Sequence, residues 1–209
     1  GVGIPWGRTR TPLASHLTGC PRWGVRIVQH RGGTSFPERG THVFEFMRAF
    51  CGAFSADPRS LPLPVIFQDT ATLSIVCRDR AIATILQEGR GVDVAVFTVG
   101  AMGREVISLN LGQLDEAEVD ALLRDAVGDV FLHFFTERGT IAHPQIERRT
   151  VSISLEDLRA RPVRLLVAGG RVKTRALLAG LRMGLATHLV VDQDLAVALL
   201  DEADEEASE

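Results

Sequence analysis

Apolar residues in this chain follow two alternating rhythms. Nearly unbroken runs recur at Val2 to Pro5, Val25 to Gln29, Val92 to Val99, Val163 to Ala168 and Ala186 to Val191. These read as strands, those at Val92 to Val99 and Val163 to Ala168 as strongly buried ones. Between them lie stretches whose apolar positions are three and four apart, the spacing of a helix with one inward side. Thr11 before Pro12 predicts an N-cap, with Leu13 and Leu17 facing the sheet. A second helix opens at Thr41 or His42 and carries Val43, Phe46, Met47, Phe50 and Phe54 as a wide stripe. Asp57 to Ser60 turns the chain. Leu61 to Phe67 is extended, with prolines that suit a sheet edge.

Further along, Asp69 and Asp79 predict helix caps, the second before an inward face of Ile82, Ile85 and Leu86. Asp115 and Glu118 form a capping box for a helix with Val119, Leu122 and Leu123 inward. The apolar run Val130 to Phe135 follows, then a turn at Glu137-Arg138-Gly139 and a return at Val151 to Ile153. Ser154 caps a short helix through Leu158. Asp192 caps a terminal helix ending near Leu200, and Asp201 to Glu209 reads as an unstructured acidic tail. Strands alternating with helices predict an α/β fold, a three-layer sandwich around a mainly parallel sheet. Ligands of such folds bind beyond the C-terminal ends of the strands.

Four glycine-bearing loops are expected at that edge: Trp6 to Thr11, Arg31 to Gly33, Gly100 to Gly103 and Gly169 to Lys173. The last is the most pointed. The run Val163 to Ala168 passes through Gly169-Gly170 into a helix whose inward stripe reads Val172, Ala176, Leu177, Leu181 and Met183, with Gly184 past its end. A strand, a glycine turn and a helix start leave backbone N–H groups that suit an anion. Lys173, the only lysine of the chain, sits in the first turn. A cation there opposes the helix dipole unless an anion neutralises both. Phosphate fits that description, although Gly-Gly can also be plain turn chemistry and the lysine merely solvated.

Composition narrows the classes. With 209 residues, 45% hydrophobic and 23% charged, the chain has the make-up of a soluble globular domain. No apolar run approaches the roughly 20 residues that span a membrane. A net charge of −3 does not suit holding nucleic acid directly. Cys20, Cys51 and Cys77 lack metal or redox spacing, which points to buried thiols in a reducing, cytoplasmic setting. Neither a metal site nor a cofactor is expected. The start at Val2-Gly3-Ile4 falls within a strand, as in a piece of a longer protein.

The segments GVGIPWGRTRTPLASHL, IVQHRGG, LPLPVIF, DVAVFTVGAMG, AVGDVFLHFF, RTVSISLEDL and VRLLVAGGRVKTRALLAGLRMGLATHLVVDQDLAVALL, taken in order, resemble the effector-binding domain of SorC/DeoR-type bacterial transcriptional regulators. The resemblance runs from Val2 to Leu200, and its most specific parts are the WGRT loop, the AVGD segment and the AGG-x-x-K element. It implies a Rossmann-like domain over residues 1–200, similar to ribose-phosphate isomerase and glucosamine-phosphate deaminase. It also implies a phosphorylated sugar as effector, a homo-oligomer (dimer or tetramer), and DNA bound only through an N-terminal helix-turn-helix domain absent from this chain.

Carried onto these residues, the resemblance implies that Gly7, Arg8, Thr9 and Thr11 hold the phosphate or a sugar hydroxyl. Gln29, Gly32 and Gly33 line a second wall, and Gly100 and Met102 form the floor. Asp129 accepts from sugar hydroxyls, and Lys173 neutralises the phosphate or meets the carbonyl carbon. Each has a plainer reading as well: Asp129 as a turn residue, Gln29 as a polar strand end, Met102 as packing. A sugar-phosphate isomerase or deaminase of the same fold is the competing function, with Asp129 and Lys173 as its acid-base pair.

Overall fold

The computed structural model describes residues 1–4, 16–33, 43–106, 109 and 112–206. Its main sheet has six strands: β1 (Val2–Ile4), β2 (Arg26–Gln29), β3 (Asp57–Arg59), β4 (Val94–Phe97), β8 (Val163–Ala168) and β9 (His188–Val191). They lie in the order β3-β2-β1-β4-β8-β9, and each neighbouring pair is parallel. The chain therefore runs outward from β1 through β2 to β3, then crosses back to β4 on the other flank of β1. The divergence between β1 and β4 is the topological switch point, where a crevice opens above the strand ends.

Each face of the sheet has its own apolar cover. Helix α1 (Val43–Phe54) lays Phe46, Met47 and Phe50 against Ile4, Ile27 and Val96. The opposite face carries Val28, Ala95, Phe97, Leu166 and Ala168, packed with Leu158, Leu177 and Leu195. Those three come from α6 (Leu155–Arg159), α7 (Thr174–Arg182) and α8 (Gln193–Glu206). Helices α2 (Thr70–Val76) and α3 (Arg80–Arg90) start at Asp69 and Asp79, whose carboxylates accept from Thr72 N, and from Ala81 and Ile82 N. Ile82 and Leu86 of α3 are buried with Leu61 and Val151.

A smaller antiparallel sheet rises beyond the main one: β5 (Gly100–Ala101), β6 (Gly128–Val130) and β7 (His133–Phe135), in that order. It shares a second core with α4 (Glu116–Asp125) and α5 (Pro144–Glu147), in which Leu122, Leu132, Phe134 and Ile146 meet Val65 and Ile66. Helix α4 has the capping box in both directions, Asp115 to the Glu118 amide and Glu118 back to the Asp115 amide.

Several boundaries differ from the sequence reading. Asp57–Arg59, expected as a turn, is an edge strand, and the edge tolerates Pro58 because only one side of the strand must donate. The run Val130 to Phe135 is broken by a two-residue turn at Phe131 and Leu132, with φ of 57° and 69°. Left-handed backbone costs about 1–2 kcal/mol at each non-glycine residue. Burying each of these side chains, 3% and 0% exposed, contributes roughly 1.5–3 kcal/mol, so packing wins. Val172, expected on the inward stripe, is 76% exposed, because residues 171–173 form a separate 3-10 turn and α7 begins only at Thr174. Helix α8 runs on to Glu206, into the segment expected as an unstructured tail, carried by alanine and glutamate that favour helix.

Candidate functional site

Parallel pairing brings the C-terminal ends of β1, β2, β4 and β8 to one edge. Gly7, Arg8, Thr9 and Thr11, in the loop after β1, lie outside the described residues. The other predicted site residues fall into two corners of that edge.

The first corner joins β4 and β8, which are direct neighbours. Thr98 follows the last residue of β4, and its Oγ1 accepts from Lys173 Nζ at 3.0 Å. Lys173 is half-buried at the end of the 3-10 turn, one residue before α7. The glycine turn does not offer all its amides to a ligand. Gly170, with φ 87°, donates to Asp192 Oδ2 at 2.7 Å, and a Cβ on Gly169 would come within 2.6 Å of that same oxygen. The other carboxylate oxygen of Asp192 caps α8 through Leu195 N. The protein's own carboxylate thus answers part of the N–H cluster, and the lysine remains the feature that suits an incoming anion.

The second corner lies where β2 meets the small sheet. Gly100 stands opposite Asp129 in the β5–β6 pairing, and a Cβ there would sit 2.1 Å from Asp129 Oδ1. Only glycine leaves room for this carboxylate. Asp129 is 6% exposed, and its Oδ2 accepts from Leu132 N at 3.0 Å, capping the left-handed turn. The turn reading of Asp129 is therefore realised. Arg31, also 6% exposed, stands at the end of β2. Burial pushes its guanidinium down to about 10, and the Asp129 charge opposes that shift.

Gln29 braces this corner from within. Its Nε2 donates to Arg31 O at 2.7 Å and its Oε1 accepts from Leu61 N at 3.2 Å. Gly32 lets another stretch of backbone approach, since a Cβ would meet Leu63 O at 2.7 Å and Pro64 O at 2.6 Å. Gly33 exchanges hydrogen bonds with Leu63 and Val65. Met102 is half-buried against the second core, in the packing role. Below the corner, His30 is fully buried in a slot against Gly3, whose Cβ would lie 1.6 Å from the ring, with Phe131 edge-on at 5.4 Å. Burial pushes its pKa down to about 3; a backbone contact at Gly89 opposes this and the Arg161 charge adds to it.

The sequence reading placed Arg31 at this edge without a ligand role, and it did not single out Thr98 or the second contact of Asp192. Position alone could have flagged Thr98, a hydroxyl just past the end of a largely buried strand. Nothing local marks the Asp192 contact, which spans 22 residues. Among the described residues no three His, Cys, Asp or Glu side chains gather as a metal site, and no helix is long and apolar enough to cross a membrane.

Comparison with known proteins places this arrangement. The family model described as "Putative sugar-binding domain" matches residues 1–201. The deoxyribonucleoside regulator of Bacillus subtilis is 36% identical over 201 residues, covering 96% of this chain and 64% of that protein. A DeoR family transcriptional regulator from Listeria monocytogenes superimposes with a TM-score of 0.85 at 26% identity, covering 95% of this chain and 78% of that one. A transcriptional regulator from Streptococcus pneumoniae TIGR4 shares the fold with a TM-score of 0.89 at 24% identity, covering 97% and 78%. The chain belongs to the sugar-binding domain family of SorC/DeoR-type transcriptional regulators.

Proposed function

We propose that this domain senses a phosphorylated sugar for a bacterial transcriptional regulator, in a homo-oligomer whose DNA contacts are made by a helix-turn-helix domain outside this chain. The observation that carries the reading is the meeting of two unlike corners at one sheet edge. Lys173, half-buried and reaching Thr98, supplies a cation for the phosphate. Asp129 and Arg31, buried beside Gly100, supply an acceptor and donors for sugar hydroxyls. Gly7, Arg8, Thr9 and Thr11, which follow β1 in sequence, are assigned to the phosphate by the family resemblance. Effector binding shifts the oligomer between states only as far as it binds one better than the other.

The B. subtilis relative is named for deoxyribonucleosides, so pentose and deoxypentose phosphates are the first ligands to try. Calorimetric titration with ribose 5-phosphate and 2-deoxyribose 5-phosphate, each against its free sugar, tests the reading. The phosphorylated member should bind at least roughly tenfold more tightly, the worth of one charge-assisted hydrogen bond. Equal affinity within both pairs would contradict it.

A further inference from the structure

The corner that carries Gln29 to Gly33 is held from outside the main sheet. Gly32 N donates to Val151 O at 2.9 Å and Ile153 N donates to His30 O at 2.9 Å, with Arg31 paired antiparallel to Ser152. A histidine grips the same 151–153 segment from its other side. His133, the first residue of β7, is 4% exposed. Its Nε2 lies 2.8 Å from Ile153 O and 2.7 Å from Ser152 Oγ. Its Nδ1 lies 2.8 and 2.9 Å from the two carboxylate oxygens of Glu147, the last residue of α5.

The partners decide how this ring bonds. A carboxylate can only accept, so Nδ1 donates to Glu147, while Nε2 sits within hydrogen-bond distance of both the Ser152 hydroxyl and the Ile153 carbonyl. The bond to the Glu147 carboxylate is charge-assisted, which fixes the ring's orientation more firmly than a neutral acceptor would. His133 also shares the β6–β7 hairpin with Asp129. The hairpin therefore meets the β2 corner twice: through the Asp129 charge beside Arg31, and through the His133 ring on the segment that pairs with Arg31.

We infer that His133, oriented by Glu147, is a positioning residue for the effector corner. It holds residues 151–153, and these hold Arg31 to Gly33 level with Asp129 and Gly100. The inference rests on the reading of that corner as part of the effector site.

Hydrogen–deuterium exchange on the whole chain, without ligand, tests it. Glu147→Ala removes the Nδ1 acceptor, and the Gly32 and Ile153 amides should then exchange roughly tenfold faster or more, by local opening. Amides of Phe97 and Leu166, in β4 and β8, should not change. Glu147→Gln keeps a carbonyl oxygen for Nδ1 and should restore most of the protection, a rescue that general loss of packing would not show. If Glu147→Ala does not fold, Ser152→Ala removes one of the two oxygens on Nε2 and should move the same two amides in the same direction. Unchanged exchange at Gly32 would overturn the inference, as would equal acceleration in β4 and β8, or Gln behaving like Ala. No ligand takes part, so this outcome is separate from whether ribose 5-phosphate binds.

Discussion

The two corners of the sheet edge handle charge in opposite ways. At the β4–β8 corner a half-buried lysine reaches a neutral hydroxyl, and the Asp192 carboxylate is turned to the glycine turn and the start of α8. At the β2–β6 corner Arg31 and Asp129 are each 6% exposed and lie within each other's field, above a histidine with no exposure at all. An anion arriving at the first corner finds a half-buried cation held at a hydroxyl. At the second it would have to compete with Asp129 for Arg31, leaving a buried carboxylate uncompensated, which is costly. In the proposed reading the first corner takes the phosphate and the second takes neutral hydroxyls. The charges and turns of the second corner also depend on one another.

If the second corner is pre-built in this way, its largest signature is acid sensitivity. His30 titrates at about 3 when folded, against 6.5 for an ordinary histidine. Between those values the unfolded chain binds more protons, so the stability is fully present above about 6.5 and is lost as pH falls toward 3. The full loss is about 5 kcal/mol, of which about 2 kcal/mol falls between pH 7 and pH 5. Urea unfolding at these two pH values should show that loss, and His30→Leu should abolish it. An equal loss in the variant would show that the corner's burial of His30 is not its source.

A smaller effect isolates the contact between Gly100 and Asp129. Gly100→Ala places a methyl 2.1 Å from Asp129 Oδ1, and that carboxylate cannot swing away without giving up the Leu132 amide. Overpacking of this kind costs about 1–3 kcal/mol, and sugar affinity should fall with it. Gly52→Ala is the control: it is exposed in α1, has nothing within 4 Å of its Cβ, and should gain about 0.5–1 kcal/mol. Thermal melts of the two variants compare a glycine required by a contact with one that is not. Equal melting temperatures would mean the Asp129 carboxylate is not fixed as described.

What could be read from the sequence was what local chemistry decides. Asp69, Asp79 and Ser154 cap helices through bonds two or three residues away, and the Asp115–Glu118 box is equally local. The buried strands declare themselves by composition, and their parallel arrangement follows from the helices between them. The 131–132 turn does not declare itself, because Phe and Leu carry no turn preference. That conformation is imposed by Asp129 below and by two separate cores that each take one side chain. The edge strand at Asp57–Arg59 was hidden by Pro58, and the His133–Glu147 clamp by its long-range oxygens on Ser152 and Ile153. In the candidate site, residue type and loop position pointed to Lys173, Asp129 and the Arg31 to Gly33 loop, whereas Thr98 emerges only from the order of the strands.

The division between an anion corner and a hydroxyl corner rests most directly on Lys173. Titrating ribose 5-phosphate and free ribose into Lys173→Met should show a loss of roughly 1.5–3 kcal/mol for the phosphate and almost none for the free sugar. Lys173→Arg should keep part of the phosphate affinity, because a guanidinium still supplies charge. Intact mass after borohydride treatment should show no adduct. An equal loss for both ligands, or no loss for either, would contradict the assignment of the anion to this corner. A trapped adduct at Lys173, with Arg no better than Met, would replace the cation role with a covalent bond to the sugar carbonyl.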